Sequence, residues 1–365
     1  MIWPLTAFLA LVPLPPPQDA AASIAALEHT LATNGSNAAV LRALARAYAS
    51  LDDPRAEATF QQALAATSDD AALRRDHVEY LWRKHRDEAG NAEMERVLAR
   101  SPSDAELRGR YGEMLMQQNR FVDAAAELSR ACALAAKSCT AERLGLWASA
   151  LLETGRFPES ARIWSRAIAA APDRAEPHAG LGRLRLLQGD DTGARAELAI
   201  AVKREPGDAS LRVDYGRSLE RSGDATAAEA EYREALRLDP SFSAAHYALG
   251  TLLARLGRAD EANAEIVQYQ TAFAASQSAR QRNGARRAQL SLGWTRLEAK
   301  DAEGAIAAFS GLGNDPEALR GSGEALLAMG RRDEARASFE RAAALAPSDP
   351  RIQWALARAR GAEGP

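Results

Sequence analysis

Four series of small or helix-ending residues recur in this chain at a single interval. Gly182, Gly216 and Gly250 stand 34 residues apart, as do Gly189, Gly223 and Gly257. Ala194, Ala228 and Ala262 keep the same interval, and so do Pro172, Pro206 and Pro240. A shared period of this length means one supersecondary unit used repeatedly, each copy burying its apolar face on the next. Within each period two apolar runs of helical spacing are joined by a short turn that follows a glycine. Glycine suits the left-handed C-cap of the first helix, and the proline, lacking an N–H, ends the second. The unit is a helix–turn–helix.

A glycine inside a helix costs about 1 kcal/mol against alanine, so Gly250 needs a packing reason. Small residues let two helices approach ridge into groove. A bulky residue then stands four positions after the conserved small residue of the second helix, as Ile266 does after Ala262. Along the array that place holds Phe60, Met94, Leu128, Trp164, Leu198, Tyr232, Ile266, Phe309 and Phe339. Only size and apolarity persist there, which predicts a core position.

The best-marked units read RAEPHAGLGRLRLLQGDDTGARAELAIAVKREP, DASLRVDYGRSLERSGDATAAEAEYREALRLDP and FSAAHYALGTLLARLGRADEANAEIVQYQ. They resemble the tetratricopeptide repeat, whose pattern runs W-x2-L-G-x2-Y, then A-x3-F, then P. The resemblance covers most of the chain and implies an all-α fold, a right-handed α-solenoid of about nine helix–turn–helix repeats with capping helices. Continuing the phase outward sets repeat starts near Ala38, Ala71, Ala105, Ala141, Ala175, Ala209, Ser243, Arg286 and Pro316. The unit at Ala71 departs most, with Val78 and Gly90 where glycine and alanine are expected and His85 in place of the turn glycine. Residues 21–32 and 351–361 are expected as capping helices, the latter closing the stack with a partly polar face.

Two irregularities break the period. Ala105 to Ala141 is 36 residues, and the excess falls in the cysteine-bearing connection. Gly250 to Gly293 is 43 residues, which predicts an overlong second helix, a turn at Asn283-Gly284 and a shortened helix around Phe309. The expected organisation is therefore a segment 1–20, an array over 21–285, and the array continued over 286–365 after a nine-residue insertion.

Composition agrees with closely packed helices: 47% of residues are hydrophobic but only 6% aromatic. The net charge is −3, from 46 basic and 49 acidic residues, so no basic excess argues for nucleic acid. Arg280, Arg282, Arg286 and Arg287 cluster at the insertion and could meet an acidic partner. The first 20 residues carry no charged side chain before Asp19, and an apolar run over 5–14 precedes Pro15 to Pro17 and Ala20 to Ala22. This resembles a secretory signal peptide, although no Lys or Arg precedes the run. It predicts a periplasmic or secreted protein with no stable membrane span once the segment is removed. A cytoplasmic location follows if the segment is not a signal.

Cys132 and Cys139 are the two cysteines. In an exported chain such a pair is expected to form a disulfide, stabilising by roughly 2–3 kcal/mol on a chain-entropy account, while two free thiols are the other reading. Their spacing fits no zinc pattern. The glycines of GLGRLR and GSGEAL follow no strand and already serve the repeat, so no nucleotide site is read there. His178 and His246 share one place in their repeats and read as packing or groove-edge residues. No nucleophile, base or metal constellation is legible, and no catalytic activity and no cofactor are expected.

What the family resemblance implies for function is a concave groove lined by the first helices. Carried onto this chain, its N-terminal half includes Glu79, Trp82, Arg83, Glu106, Glu113, Met116, Glu142 and Glu153. Its middle holds Arg183, Leu187, Val213, Arg217, Arg221, Tyr247 and Arg255, and Trp294 and Glu298 follow. The groove reads acidic first and basic in the middle. Arg183, Arg217, Arg221 and Arg255 could take a carboxylate-bearing peptide in charge-assisted bonds, with Leu187 and Tyr247 as apolar neighbours. The asparagines and lysines of the known two-carboxylate clamp are absent, so chaperone-tail binding does not carry over. The expectation is a non-catalytic scaffold that binds a protein or peptide, in a bacterial cell envelope. Alternatives are a cytosolic adaptor, or a substrate-clamp subunit of an envelope-biogenesis enzyme complex.

Overall fold

The computed structural model describes residues 17–34, 37–67, 70–136 and 139–361. The apolar run over 5–14 lies outside the described residues. Among the described residues there are nineteen helices and no strand, and no helix is long and apolar enough to cross a membrane.

The chain divides into two compact units. One comprises residues 101–279 and holds α6 (Ala105–Gln117), α7 (Phe121–Leu134), α8 (Ala141–Glu153), α9 (Phe157–Ala170), α10 (Ala175–Gln188), α11 (Asp191–Arg204), α12 (Ala209–Arg221), α13 (Ala225–Leu238) and α14 (Ser243–Arg255). The other joins residues 1–100 to 280–365. It holds α1 (Pro17–Asn34), α2 (Ala38–Ser50), α3 (Arg55–Ala66), α4 (Ala71–Arg83) and α5 (Asp87–Arg100) together with α16 (Ala302–Ser310), α17 (Pro316–Ala328), α18 (Arg332–Leu345) and α19 (Pro350–Ala359). Helix α15 (Ala259–Glu298) contributes residues to both. The division between 100 and 101 falls between the repeats that begin at Ala71 and Ala105.

Ala38, Ala71, Ala105, Ala141, Ala175, Ala209, Ser243 and Pro316 are each the first residue of a helix, as the period predicts. The starts are fixed locally by side-chain caps. Asp70, Asp104, Asp208 and Asp315 each accept a hydrogen bond from a backbone N–H in the first turn that would otherwise lack a partner. The first helices then end at a left-handed residue: Gly189, Gly223 and Gly257 have φ of 79°, 86° and 78°. Asp52, His85, Asn119 and Lys300 hold the same place in other repeats, with φ of 59°, 55°, 58° and 64°.

The small residues act as the sequence predicts. A Cβ on Gly216 would stand 2.5 Å from the Tyr232 ring, and one on Gly323 would stand 2.4 Å from the Phe339 ring. Gly180 and Gly321 lie equally close to the rings of Trp164 and Phe309, so the near-motif glycines are contact points for side chains. The bulky residues at Phe60, Met94, Leu128, Trp164, Leu198, Tyr232, Phe309 and Phe339 are fully buried. Ile266, the last of this series in its unit, is only partly covered. In the irregular second repeat the roles are exchanged: Gly90 makes room for the Trp82 ring, 2.4 Å from where its Cβ would be.

Two expectations fail. No turn forms at Asn283-Gly284, and Arg286 does not start a helix, because α15 runs unbroken from Ala259 to Glu298. No proline occurs between Pro240 and Pro316, and one glycine among alanine, glutamine and arginine costs only about 1 kcal/mol. The shortened helix around Phe309 does form, as the nine-residue α16. The C-terminal helix α19 packs on α1, α17 and α18 and buries Trp354 and Leu356.

Candidate peptide-binding face

The first helices of the 101–279 unit place the predicted residues in register. Arg183 and Arg217 each stand eight residues after their helix start, and Leu187, Arg221 and Arg255 each stand twelve after theirs. Leu187 is 67% exposed and Tyr247 48%, although both are large and apolar. From Tyr247 an aromatic file continues onto α15, with ring centroids 5.2 Å from Tyr247 to Tyr269 and 5.6 Å from Tyr269 to Phe273.

Each of the four arginines faces a carboxylate of its own unit. Arg183 donates to Asp214 at 2.5 Å, across to the next repeat, and Arg217 lies 3.8 Å from the same Asp214. Arg221 reaches back to Asp191 at 2.7 Å and donates to the Leu186 carbonyl at 2.9 Å. Arg255 pairs with Glu220 of the preceding repeat. Arg217, Arg221 and Arg255 remain about half exposed or more, whereas Arg183 is largely covered. Half-exposed pairs of this kind contribute little to stability, about 0–1 kcal/mol each, so the arginines can change partners at small cost.

At the α6–α8 end the face is acidic. Arg143 lies 2.9 Å from Glu106 and 3.7 Å from Glu113, and Arg174 pairs with Glu142. Burial pushes the Glu113 carboxyl above its ordinary range, outweighing Arg143 and Arg110, and burial does the same to Glu176.

Two residues assigned to the groove lie elsewhere. Trp82 is buried and donates its indole N–H to Asn91 at 3.0 Å, and Val213 is a core residue at 2% exposure. The Trp294 ring lies against Phe309, with centroids 5.1 Å apart, beneath the guanidinium of Arg320.

A clamp that recurs in several repeats has no counterpart in the sequence reading. Arg108, His178, Arg212 and His246 each reach a glutamate nineteen residues on: Glu127 at 2.6 Å, Glu197 at 2.7 Å, Glu231 at 2.8 Å and Glu265 at 2.6 Å. Each also faces the carbonyl six residues earlier, of Pro102, Pro172, Pro206 and Pro240. The histidines therefore tie the two helices of a repeat to the end of the previous one, and both ring nitrogens face acceptors. The signal is present in the sequence, since the basic residue and the glutamate share the period, but the same place is apolar at Leu41, Leu144 and Leu319. Cys132, at the end of α7, and Cys139 are joined by a disulfide with Cα atoms 5.1 Å apart. Among the described residues no group of three or more His, Cys, Asp or Glu could hold a metal ion.

Helix pairs of this length and register define a helical-repeat scaffold. A tetratricopeptide repeat family model matches residues 75–138, 146–209 and 213–278, more than half of the chain, and a second matches 316–359. The chain belongs to the tetratricopeptide repeat family. No curated protein matches it. Similar solved structures include MamA 41-end from Desulfovibrio magneticus RS-1, at 16% identity over 47% of this chain and 96% of that one, with a TM-score of 0.43. Another is YrrB, described as a TPR protein with an unusual peptide-binding site, at 16% identity over 51% of this chain and 95% of that one, with a TM-score of 0.44.

Proposed function

We propose that the protein is a non-catalytic scaffold in the bacterial cell envelope. It binds a protein or peptide along the first-helix face of residues 101–279. The observation that carries this reading is the row of side chains that the core does not use: Leu187, Arg217, Arg221, Tyr247 and Arg255, exposed on α10, α12 and α14. A carboxylate-bearing segment would displace Asp214, Asp191 or Glu220 from these arginines, exchanging one charge-assisted bond for another, while Tyr247 and Leu187 lose apolar area to the partner. Net affinity then comes mainly from the apolar contacts, and charge selects the register. Export is supported by the signal-like first 20 residues and by the disulfide, which persists in oxidising compartments.

Capture of partners from envelope extracts by wild type and by Arg217→Glu/Arg221→Glu tests the face. The variant is expected to lose at least tenfold in bound partner at unchanged helix content, and equal capture removes the proposal. In the same preparation, mass spectrometry of the N-terminus tests export, which an intact Met1 in a cytosolic fraction contradicts.

A further inference from the structure

The first-helix face of the C-terminal repeats is built in the same register as the face above, but it is filled. Arg320 and Trp354 stand four residues after Pro316 and Pro350, the place Tyr247 holds after Ser243. Glu324 and Arg358 stand eight after, the place of Arg183 and Arg217. Against these side chains lies the turn that joins α2 to α3, more than 260 residues earlier in sequence. Arg320 donates to the Asp52 carboxylate at 2.8 Å and to the Asp52 carbonyl at 3.4 Å, with its guanidinium 4.6 Å from the centre of the Trp294 ring. Lys84 lies 2.5 Å from the other Asp52 oxygen, and Arg351 3.7 Å from the first. Asp53 accepts from the Trp354 indole at 2.9 Å and from Arg358 at 3.1 Å, while its own neighbour Arg55 donates to it at 2.9 Å and 3.0 Å.

Two observations make this turn a bound ligand as well as a packing element. Asp52 occupies the left-handed position that glycine fills in Gly189, Gly223 and Gly257 and that His85, Asn119 and Lys300 fill in other repeats. Its carboxylate is the group that Lys84 and Arg320 read. Arg320 is itself 1% exposed, yet its Nε has no acceptor, so the turn does not use every donor the groove offers.

We propose that the groove formed by α17, α19 and Trp294 is a recognition site for an acidic turn. The chain keeps it shut with its own Asp52–Asp53 turn, and the site accepts an Asp-Asp segment from a partner only when this tethered copy is released. An intramolecular ligand of this kind acts at an effective concentration on the order of millimolar, so a free peptide competes poorly with it.

The test uses the full chain and a fluorescent peptide of residues 47–58, AYASLDDPRAEA, read by anisotropy. Asp52→Gly supplies the residue other repeats carry at this turn and removes the carboxylate without backbone strain, and Asp53→Asn removes the second charge. The double variant is expected to bind the peptide at least tenfold more tightly than wild type. A peptide with asparagine at both aspartates should bind neither protein, and adding Arg320→Gln/Arg358→Gln should abolish binding. Equal affinity for wild type and variant, or no binding by a variant of native helix content, overturns the proposal. The Asp52→Gly single variant repeats the comparison if the double variant loses structure. If both unfold, the turn is an irreplaceable part of the core and the proposal fails.

Discussion

The two units carry the same row of first-helix positions and use it in opposite ways. Over residues 101–279 the row is arginine-rich and open, with carboxylates of the same or the preceding repeat as exchangeable partners. Over 316–359 it is arginine-rich and covered, with the carboxylates supplied from another part of the chain. The residue types differ place by place, since Arg320 stands where Tyr247 does and Glu324 where Arg217 does, and the exposure of the arginines differs with them. Arg217 keeps 45% of its side chain in solvent and Arg320 keeps 1%. A surface pair loses little when broken, whereas removing one member of a buried pair leaves its partner desolvated and uncompensated. Arginine at a groove position is therefore a candidate contact in one unit and a structural tie in the other.

The sharpest way to break this comparison is to truncate both arginines. Arg320→Ala should lower stability by about 3–5 kcal/mol, because Asp52 keeps only Lys84 and the more distant Arg351. Arg217→Ala should cost under about 1 kcal/mol. Urea unfolding followed by hydrogen exchange, which assigns the loss to a unit, checks both. Similar costs for the two variants would mean that burial does not separate the faces.

Acid should separate them more gently. Burial disfavours the ionised forms of Asp52 and Asp53, but Lys84 and Arg320 on the first, and Arg55 and Arg358 on the second, hold both carboxyls below the ordinary range. A depressed carboxylate stabilises the fold above its unfolded pKa, near 4, and that stability is lost as pH falls through the folded value. Glu113 and Glu176 on the other face are raised by burial, so their ionisation opposes folding above their folded pKa and acid relieves it. Glu324, also raised by burial, partly offsets the loss in its own unit. Hydrogen exchange over residues 47–56, corrected for intrinsic rate, should accelerate severalfold below pH 4 relative to α6 and α10. Parallel acceleration in both would contradict this assignment.

How much of this was legible follows from where the information sits. Helix starts at Ala38, Ala71 and Ser243 were readable because phase, caps and turn residues are local and repeated. The continuity of α15 was not, because Asn283-Gly284 is a turn signal in most contexts and only the absence of a helix-ending proline argued against it. The place of Trp82 in the repeat points to the groove, although Gly90 eight residues on compensates for a buried ring. The clamp from His178 to Glu197 was within reach of the period. The pairing of Asp52 with Arg320 was not, because a contact spanning so many repeats leaves no periodic or local trace in sequence. The groove residues Arg183, Arg217, Arg221 and Arg255 were named from sequence, but the acids that face them were not.

Photo-crosslinking on the two faces decides whether partners are read by the open face and not the covered one. A benzophenone amino acid replaces Tyr247 in one preparation and Arg351 in another, and crosslinked peptides are sequenced after exposure to envelope extract. The account predicts partner peptides at position 247, and at position 351 only peptides of this chain around residues 47–58. Partner peptides at position 351 with none at 247 would contradict it.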